Sequence, residues 1–195
     1  QMRPESKPPV DKAPAKRLFV AVTFPDEIRE TLAQICGGLP DVRWVPQDQL
    51  HLTLRFIGDV PLDQVEALQA SLLAVRFEAF DAALQGVGRF PTGGPPRVIW
   101  AGLLAGGALN RLVRDVDRAV IGMGFPSETK RFVPHVTLAR LKNPPPPAAL
   151  SAYLKRHKGL NSDAFRVDRF VLYSSQLRKE GPVYTPEVEY KARSG

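Results

Sequence analysis

Arg17-Leu18-Phe19-Val20-Ala21-Val22-Thr23-Phe24 is a nearly unbroken apolar run, and its β-branched and aromatic content predicts a buried strand. Asp26 to Cys36 reads as a helix, with acidic residues in its first turn and Gly37-Gly38 to stop it. A short strand from Val42 to Val45 ends at Pro46, and a longer one runs from Leu50 to Ile57. Pro61 opens a second helix with Val65, Leu68 and Leu72 on one face. Phe80, Ala82, Leu84 and Gly86 alternate as a strand, and Arg97 to Leu103 forms another after a Pro/Gly loop. A third helix, about Ala108 to Met123, carries the clearest stripe: Leu109, Leu112, Val113, Val116 and Val120.

Val133 to Leu141 is predicted as the next strand, and Asn143-Pro144-Pro145-Pro146-Pro147 as a stiff extended spacer. A helix to about Lys158, a strand from Phe165 to Ser175 and a hairpin strand from Val183 to Tyr190 complete the chain. The spacer invites a domain boundary, but the forty-odd residues after it are few for a core of their own. The C-terminal hairpin is therefore expected to return to the main sheet. Mixed strands and helices with adjacent hairpins predict an α+β fold. The two halves repeat a similar order with a spacing of 84 residues. That repeat predicts two pseudo-duplicated lobes with antiparallel sheets, facing each other across a central cleft. Residues 1–16, rich in proline and charge, are expected to be a disordered tail, and 17–195 one bilobal domain.

Composition narrows the class. The apolar and charged fractions are those of an ordinary globular protein. The single Cys36 excludes an internal disulfide and any cysteine-built metal site, and agrees with a cytoplasmic location. No apolar run approaches the ~20 residues needed to span a bilayer, and residues 1–16 lack the apolar segment of a secretory leader. The net charge of +7 raises the question of a polyanionic partner. Its distribution speaks against one at the centre of the chain. Residues 18–149 carry thirteen basic and thirteen acidic side chains, so the excess lies at the two ends.

The chemistry-bearing feature is a repeated phrase, His51-Leu52-Thr53-Leu54 and His135-Val136-Thr137-Leu138, which uses two of the three histidines. Residues two apart on a strand share a face. His51 and Thr53 should therefore point one way and Leu52 and Leu54 the other, and likewise in the second copy. Two such faces opposed across a cleft would bring two imidazoles and two hydroxyls into one polar volume. A neutral histidine could take a proton from water while a protonated one gives a proton to a leaving oxygen. Hydroxyl donors would hold the oxygens of a phosphoryl group. A single strand histidine beside threonine is ordinarily a satisfied structural pair, and two histidines without a third ligand make a poor zinc site. No metal or cofactor is therefore assigned. Neither a nucleophile elbow nor a phosphate-binding glycine loop is present in the sequence.

The wording around the motifs carries a resemblance. Arg17-Leu18-Phe19-Val20-Ala21, Trp44-Val45-Pro46 before His51-Leu52-Thr53-Leu54-Arg55-Phe56-Ile57-Gly58, Pro96-Arg97-Val98-Ile99-Trp100-Ala101-Gly102, and Arg131-Phe132-Val133-Pro134-His135-Val136-Thr137-Leu138-Ala139-Arg140 occur in order. Together they resemble the bacterial and archaeal RNA 2′,3′-cyclic phosphodiesterases, also called 2′-5′ RNA ligases, of the two-histidine phosphoesterase superfamily. The resemblance implies hydrolysis of an RNA 2′,3′-cyclic phosphate end to a 2′-phosphate. It implies His51 as general acid, His135 as general base, and Thr53, Thr137 and Arg140 on the phosphate. Residue spacing alone does not say which histidine gives the proton. The implied partner is an RNA end or nucleotide bearing a cyclic phosphate, met by a monomer without a membrane or an obligate protein partner.

Arg140 raises a conflict, because it lies five residues after His135 and strict alternation sends it to the opposite face. Either the strand bulges there, or Arg55, which alternation places with His51 and Thr53, is the phosphate ligand instead. Phe56 and Phe132 offer rings on which a base could stack, core packing being their more ordinary use. Two other functions fit the same residues. One is 2′-5′ ligation, with a 5′-hydroxyl replacing water. The other is an RNA-end binding module without catalysis, which would have no need of a proton-transfer pair.

Overall fold

The structure, a computed structural model, describes residues 13–193. The nine strands are β1 (Ala15–Thr23), β2 (Arg43–Trp44), β3 (His51–Pro61), β4 (Phe80–Phe90), β5 (Val98–Leu104), β6 (His135–Arg140), β7 (Phe165–Val167), β8 (Arg169–Arg178) and β9 (Gly181–Lys191). The helices are α1 (Asp26–Gln34), α2 (Leu62–Leu73), α3 (Gly106–Gly122) and α4 (Pro147–His157), with a 3-10 turn at Gln47–Gln49. Most of the tail predicted at 1–16 lies outside the described residues. Its last part does not behave as a tail, since Ala15 and Lys16 pair with Pro61 and Val60.

Two sheets form the molecule, one of order β3-β1-β8-β9 and one of order β2-β6-β5-β4-β7. Every ladder between named strands is antiparallel. The predicted α+β class and two-lobed plan both hold. Their backs meet in one core that runs from Leu18, Val20 and Leu52 to Ile99, Val136 and Leu138. Helix α3 buries Leu109, Leu112, Val116 and Val120, the predicted stripe apart from the half-buried Val113. It packs beside α2, where the Ser71 hydroxyl donates to the Ala119 carbonyl at 3.1 Å.

The lobes are not successive halves of the chain. Strand β2, from the first half, pairs with β6 in the second sheet, Trp44 opposite Ala139. The predicted strand at 165–175 is two strands divided at Asp168. Phe165–Val167 joins β4, whereas Arg169–Arg178 joins β1 between β1 and β9. The apolar phase shifts by one residue at this point, from Phe165 and Val167 to Phe170 and Leu172 across the polar pair Asp168-Arg169, which marks the change of partner. The C-terminal hairpin returns to the first sheet, as expected. The proline run does not stay extended to its end. Pro147 opens α4, where a missing N–H is harmless because the first turn has no acceptor for it.

Strand β4 extends four residues past the predicted Gly86. Its register breaks between Leu84 and Val87, where Gly86 adopts φ +70°, a conformation open to glycine and costly for most other residues. The extension carries the strand to Phe90 and so to the rim of the cleft.

Candidate active site

Both motif strands bulge at the same letter. Opposite β3, Ala21 faces Thr53 and Val20 faces Arg55, which leaves Leu54 without a partner. Opposite β6, Trp100 faces Thr137 and Ile99 faces Ala139, which leaves Leu138 without one. An extra residue in one strand reverses the side on which the following residues emerge. The two hexads consequently share one pattern: half-buried, buried, half-buried, buried, buried, exposed. Arg140 returns to the face of His135 and Thr137, resolving the conflict set by strict alternation. The same bulge overturns the alternation argument for Arg55. That residue turns into the back of the sheet, 6% exposed, and Phe56 takes the place corresponding to Arg140.

Arg55 is engaged there through its two terminal nitrogens, while its buried Nε has no partner among the described residues. Its guanidinium lies 2.9 Å from Asp117 on α3 and 3.9 Å from Glu128, and donates to the Pro126 carbonyl. It reaches the cleft wall, but as a tie between β3, α3 and the segment leading to β6.

The two histidines are held in the same way. His51 Nδ1 donates to the Gln49 carbonyl at 2.6 Å and His135 Nδ1 to the Val133 carbonyl at 2.7 Å, each two residues earlier. A carbonyl only accepts, so Nδ1 carries the proton in both neutral rings and Nε2 is the unprotonated nitrogen. The His51 Nε2 lies 3.1 Å from the Thr53 hydroxyl. An aromatic ring stands perpendicular to each imidazole, Tyr184 at 5.3 Å from His51 and Phe90 at 5.0 Å from His135. Behind Phe90 lies Trp100, at 5.3 Å, whose ring occupies the space a Cβ on Gly88 would need.

Burial pushes both imidazoles below their ordinary value, and the Arg140 charge adds to this, while the backbone bonds oppose it. His51 is depressed further by the nearby His135. Strands β3 and β6 come within 8 Å of each other at the Cα level. His51, Thr53, His135, Thr137 and Arg140 all line one cleft of about 1050 Å³. Phe56, 48% exposed, and the half-buried Phe132 line it too. Phe56 is thus a surface ring and not the core residue that the ordinary reading makes it.

The charge of this cleft corrects the one-dimensional map. Arg55, Arg97, Arg114, Lys130, Arg131 and Arg140 line it, against Asp117 and Glu128 alone. Every one of these belongs to the segment whose charges cancel in sequence. Folding collects six of its thirteen cations on this surface and sends eleven of its thirteen carboxylates elsewhere.

The sequence reading missed Phe90, Arg114 and Asn110. Only the last two left a signal: Asn110, Val113, Arg114 and Asp117 recur at the spacing of a helical face, beside the apolar stripe of α3. The third histidine, His157, packs on Tyr153 at 4.6 Å in α4 and lines no part of the cleft. Among the described residues no cluster of three His, Cys, Asp or Glu side chains converges as a metal site. No described helix is long and apolar enough to cross a membrane.

With this geometry in view, known proteins give a consistent comparison. The sequence profile of the 2′-5′ RNA ligase superfamily matches residues 22–179. The RNA 2′,3′-cyclic phosphodiesterase of Aeropyrum pernix is 36% identical over 168 residues, covering 86% of this chain and 94% of that protein. The protein of the same name from Thermus thermophilus is 37% identical over 188 residues, covering 91% and 90%. Among solved structures, E. coli LigT complexed with 3′-AMP superposes with a TM-score of 0.75 at 28% identity, covering 93% of this chain and all of that one.

Proposed function

We propose, for a chain that belongs to the 2′-5′ RNA ligase superfamily, that it hydrolyses RNA 2′,3′-cyclic phosphate ends with a pair of histidines and no metal. The observation that carries the mechanism is the matched anchoring of His51 and His135. Both rings are fixed through Nδ1 to a carbonyl, and both line one cleft.

His135 Nε2 takes a proton from water as its oxygen attacks phosphorus. The bond from phosphorus to the 3′ oxygen breaks, and that oxygen takes the proton from His51 Nε2–H. The products are a 2′-phosphate monoester and a 3′-hydroxyl, and the two histidines have exchanged protonation states. Thr53 and Thr137 donate to the non-bridging oxygens as charge accumulates there, and Arg140 supplies a fixed positive charge. The apolar ring of Phe56 faces the cleft on the other strand, where a base can lie against it. Ligation uses the same groups with a 5′-hydroxyl in place of water, and the name of the superfamily favours keeping it as a second activity.

The test is turnover of a 2′,3′-cyclic nucleotide in the presence of a chelator, with the product identified by phosphorus NMR. A 2′-phosphate is expected. Changing either histidine to alanine should cost about 10²–10⁴-fold in kcat. Activity retained by the double variant, or lost to the chelator, overturns the mechanism.

A further inference from the structure

The cleft holds more space and more charge than a cyclic phosphate uses. Its volume of about 1050 Å³ stands at the top of the roughly 300–1000 Å³ that suffices for drug-sized ligands. One nucleoside cyclic phosphate leaves much of it unfilled. The surplus extends along α3, where Asn110, Val113, Arg114 and Asp117 present one helical face to the cleft.

Arg114, Lys130 and Arg131 line this part and Arg97 the rim beside Arg140, all exposed, and among the described residues none forms an ion pair with a carboxylate. The two carboxylates nearby, Asp117 and Glu128, are occupied by Arg55. Rings, in contrast, gather at the histidine end: Phe90 against His135, and Phe56 against Phe19, which touches His51. The hydrolytic mechanism uses Arg140 alone among the unpaired cations, which leaves four without a task.

An RNA end with a terminal cyclic phosphate continues in one direction only, and each further nucleotide adds one phosphodiester charge. We propose that the α3 arm of the cleft receives this backbone, so that the protein selects single-stranded RNA ends of two or more nucleotides by length. The arm is lined chiefly by cations, with the half-buried Phe132 beside Arg131, so it reads phosphates more than upstream bases. This inference rests on the cyclic-phosphate reading of the histidine end.

The experiment compares kcat/KM for a 2′,3′-cyclic mononucleotide and for a tetranucleotide with the same cyclic end. Each phosphate neutralised on a single strand contributes a log–log salt slope of about −0.7. Two contacts give about −1.4, a roughly sevenfold loss between about 50 and 200 mM salt that the mononucleotide should not show. Arg114→Gln and Lys130→Gln should each lower the ratio of tetranucleotide to mononucleotide kcat/KM and flatten the slope by about 0.7. Arg114→Lys should retain the slope.

Equal kcat/KM and equal salt slopes for the two substrates would overturn the proposal, as would a ratio unmoved by both glutamine variants. So would a change of about tenfold (~1.4 kcal/mol) on altering an upstream base, the size of a specific base contact. Salt-dependent binding of the tetranucleotide to the His51→Ala/His135→Ala variant reads the arm without turnover. If neither substrate is hydrolysed but that slope persists, the reaction assignment fails and the arm stands.

Discussion

At the scale of single residues, Arg140 tunes the two histidines in addition to the phosphate contact proposed for it. It stands on the face of His135 because Leu138 is bulged, and its charge holds both imidazoles below their ordinary value, after burial as the larger cause. A general base works only when neutral, so the rate falls as pH drops through its pKa. A general acid works only when protonated, so the rate falls as pH rises through its own. Arg140→Gln removes the repulsion and raises both values, so the bell in kcat/KM should move to higher pH, towards the ordinary ~6.5. The lost charge-assisted contact should also cost about 10- to 100-fold in kcat/KM. A profile that stays in place or moves to lower pH would refute the coupling. Arg55 has the opposite character, since its charge is consumed by Asp117 and Glu128. Breaking a fully buried pair costs about 3–5 kcal/mol, and the 24% exposure of Asp117 places Arg55→Met at or below the lower end. Urea denaturation measures that loss. Asp117→Asn, which leaves the more deeply buried Arg55 charged opposite a neutral amide, should lose at least as much.

At the scale of elements, the periodic signals in the sequence were sufficient for type and position and insufficient for partners. The stripe Leu109, Leu112, Val116, Val120 specified α3, and the apolar run from Leu18 specified β1. The bulges at Leu54 and Leu138 were illegible, because an unpaired residue is a property of two strands and each sequence shows one. For that reason Arg55 and Arg140 looked interchangeable until the register was known. A similar dependence links β4 and β5 to the site. Gly88 admits Trp100, Trp100 supports Phe90, and Phe90 stands against His135. Gly88→Ala places a methyl group in the Trp100 ring's space and should displace this column. Expected is a kcat reduced by about tenfold or more, as a misplacement on the order of 1 Å can cost about 10² in rate. KM for the mononucleotide should change less, because the proposed phosphate ligands sit on β3 and β6. An unchanged kcat with an unchanged fold, judged by circular dichroism, would sever Phe90 from His135 positioning.

At the scale of the molecule, the repeat that announced two lobes also concealed how they are assembled. Matched segments run from β1 to β3 and from β5 to β6, each with its His-x-Thr strand paired antiparallel to the first strand of its set. Within the first segment and after the second the chain crosses from sheet to sheet, with β2 going to the second lobe and β8 and β9 to the first. Charge followed the same rule: a segment neutral in sequence built a basic cleft, because sequence order and surface order differ. The proline run at 143–147 is consequently no place to divide the protein. A chain ended at Lys142 would lack β8, leaving β1 as an uncovered edge and removing the buried Phe170, Val171 and Leu172. Burial of each such side chain contributes about 1.5–3 kcal/mol. The three together approach the whole 5–15 kcal/mol or so by which domains are stable. The truncated chain should fail to fold cooperatively, even though both histidines, both threonines and Arg140 remain in it. A sharp thermal transition and retained cyclic-phosphate turnover by that fragment would show that β1 and β3 hold their half of the site without β8 and β9, and that the return of the C-terminal hairpin to the first sheet is dispensable.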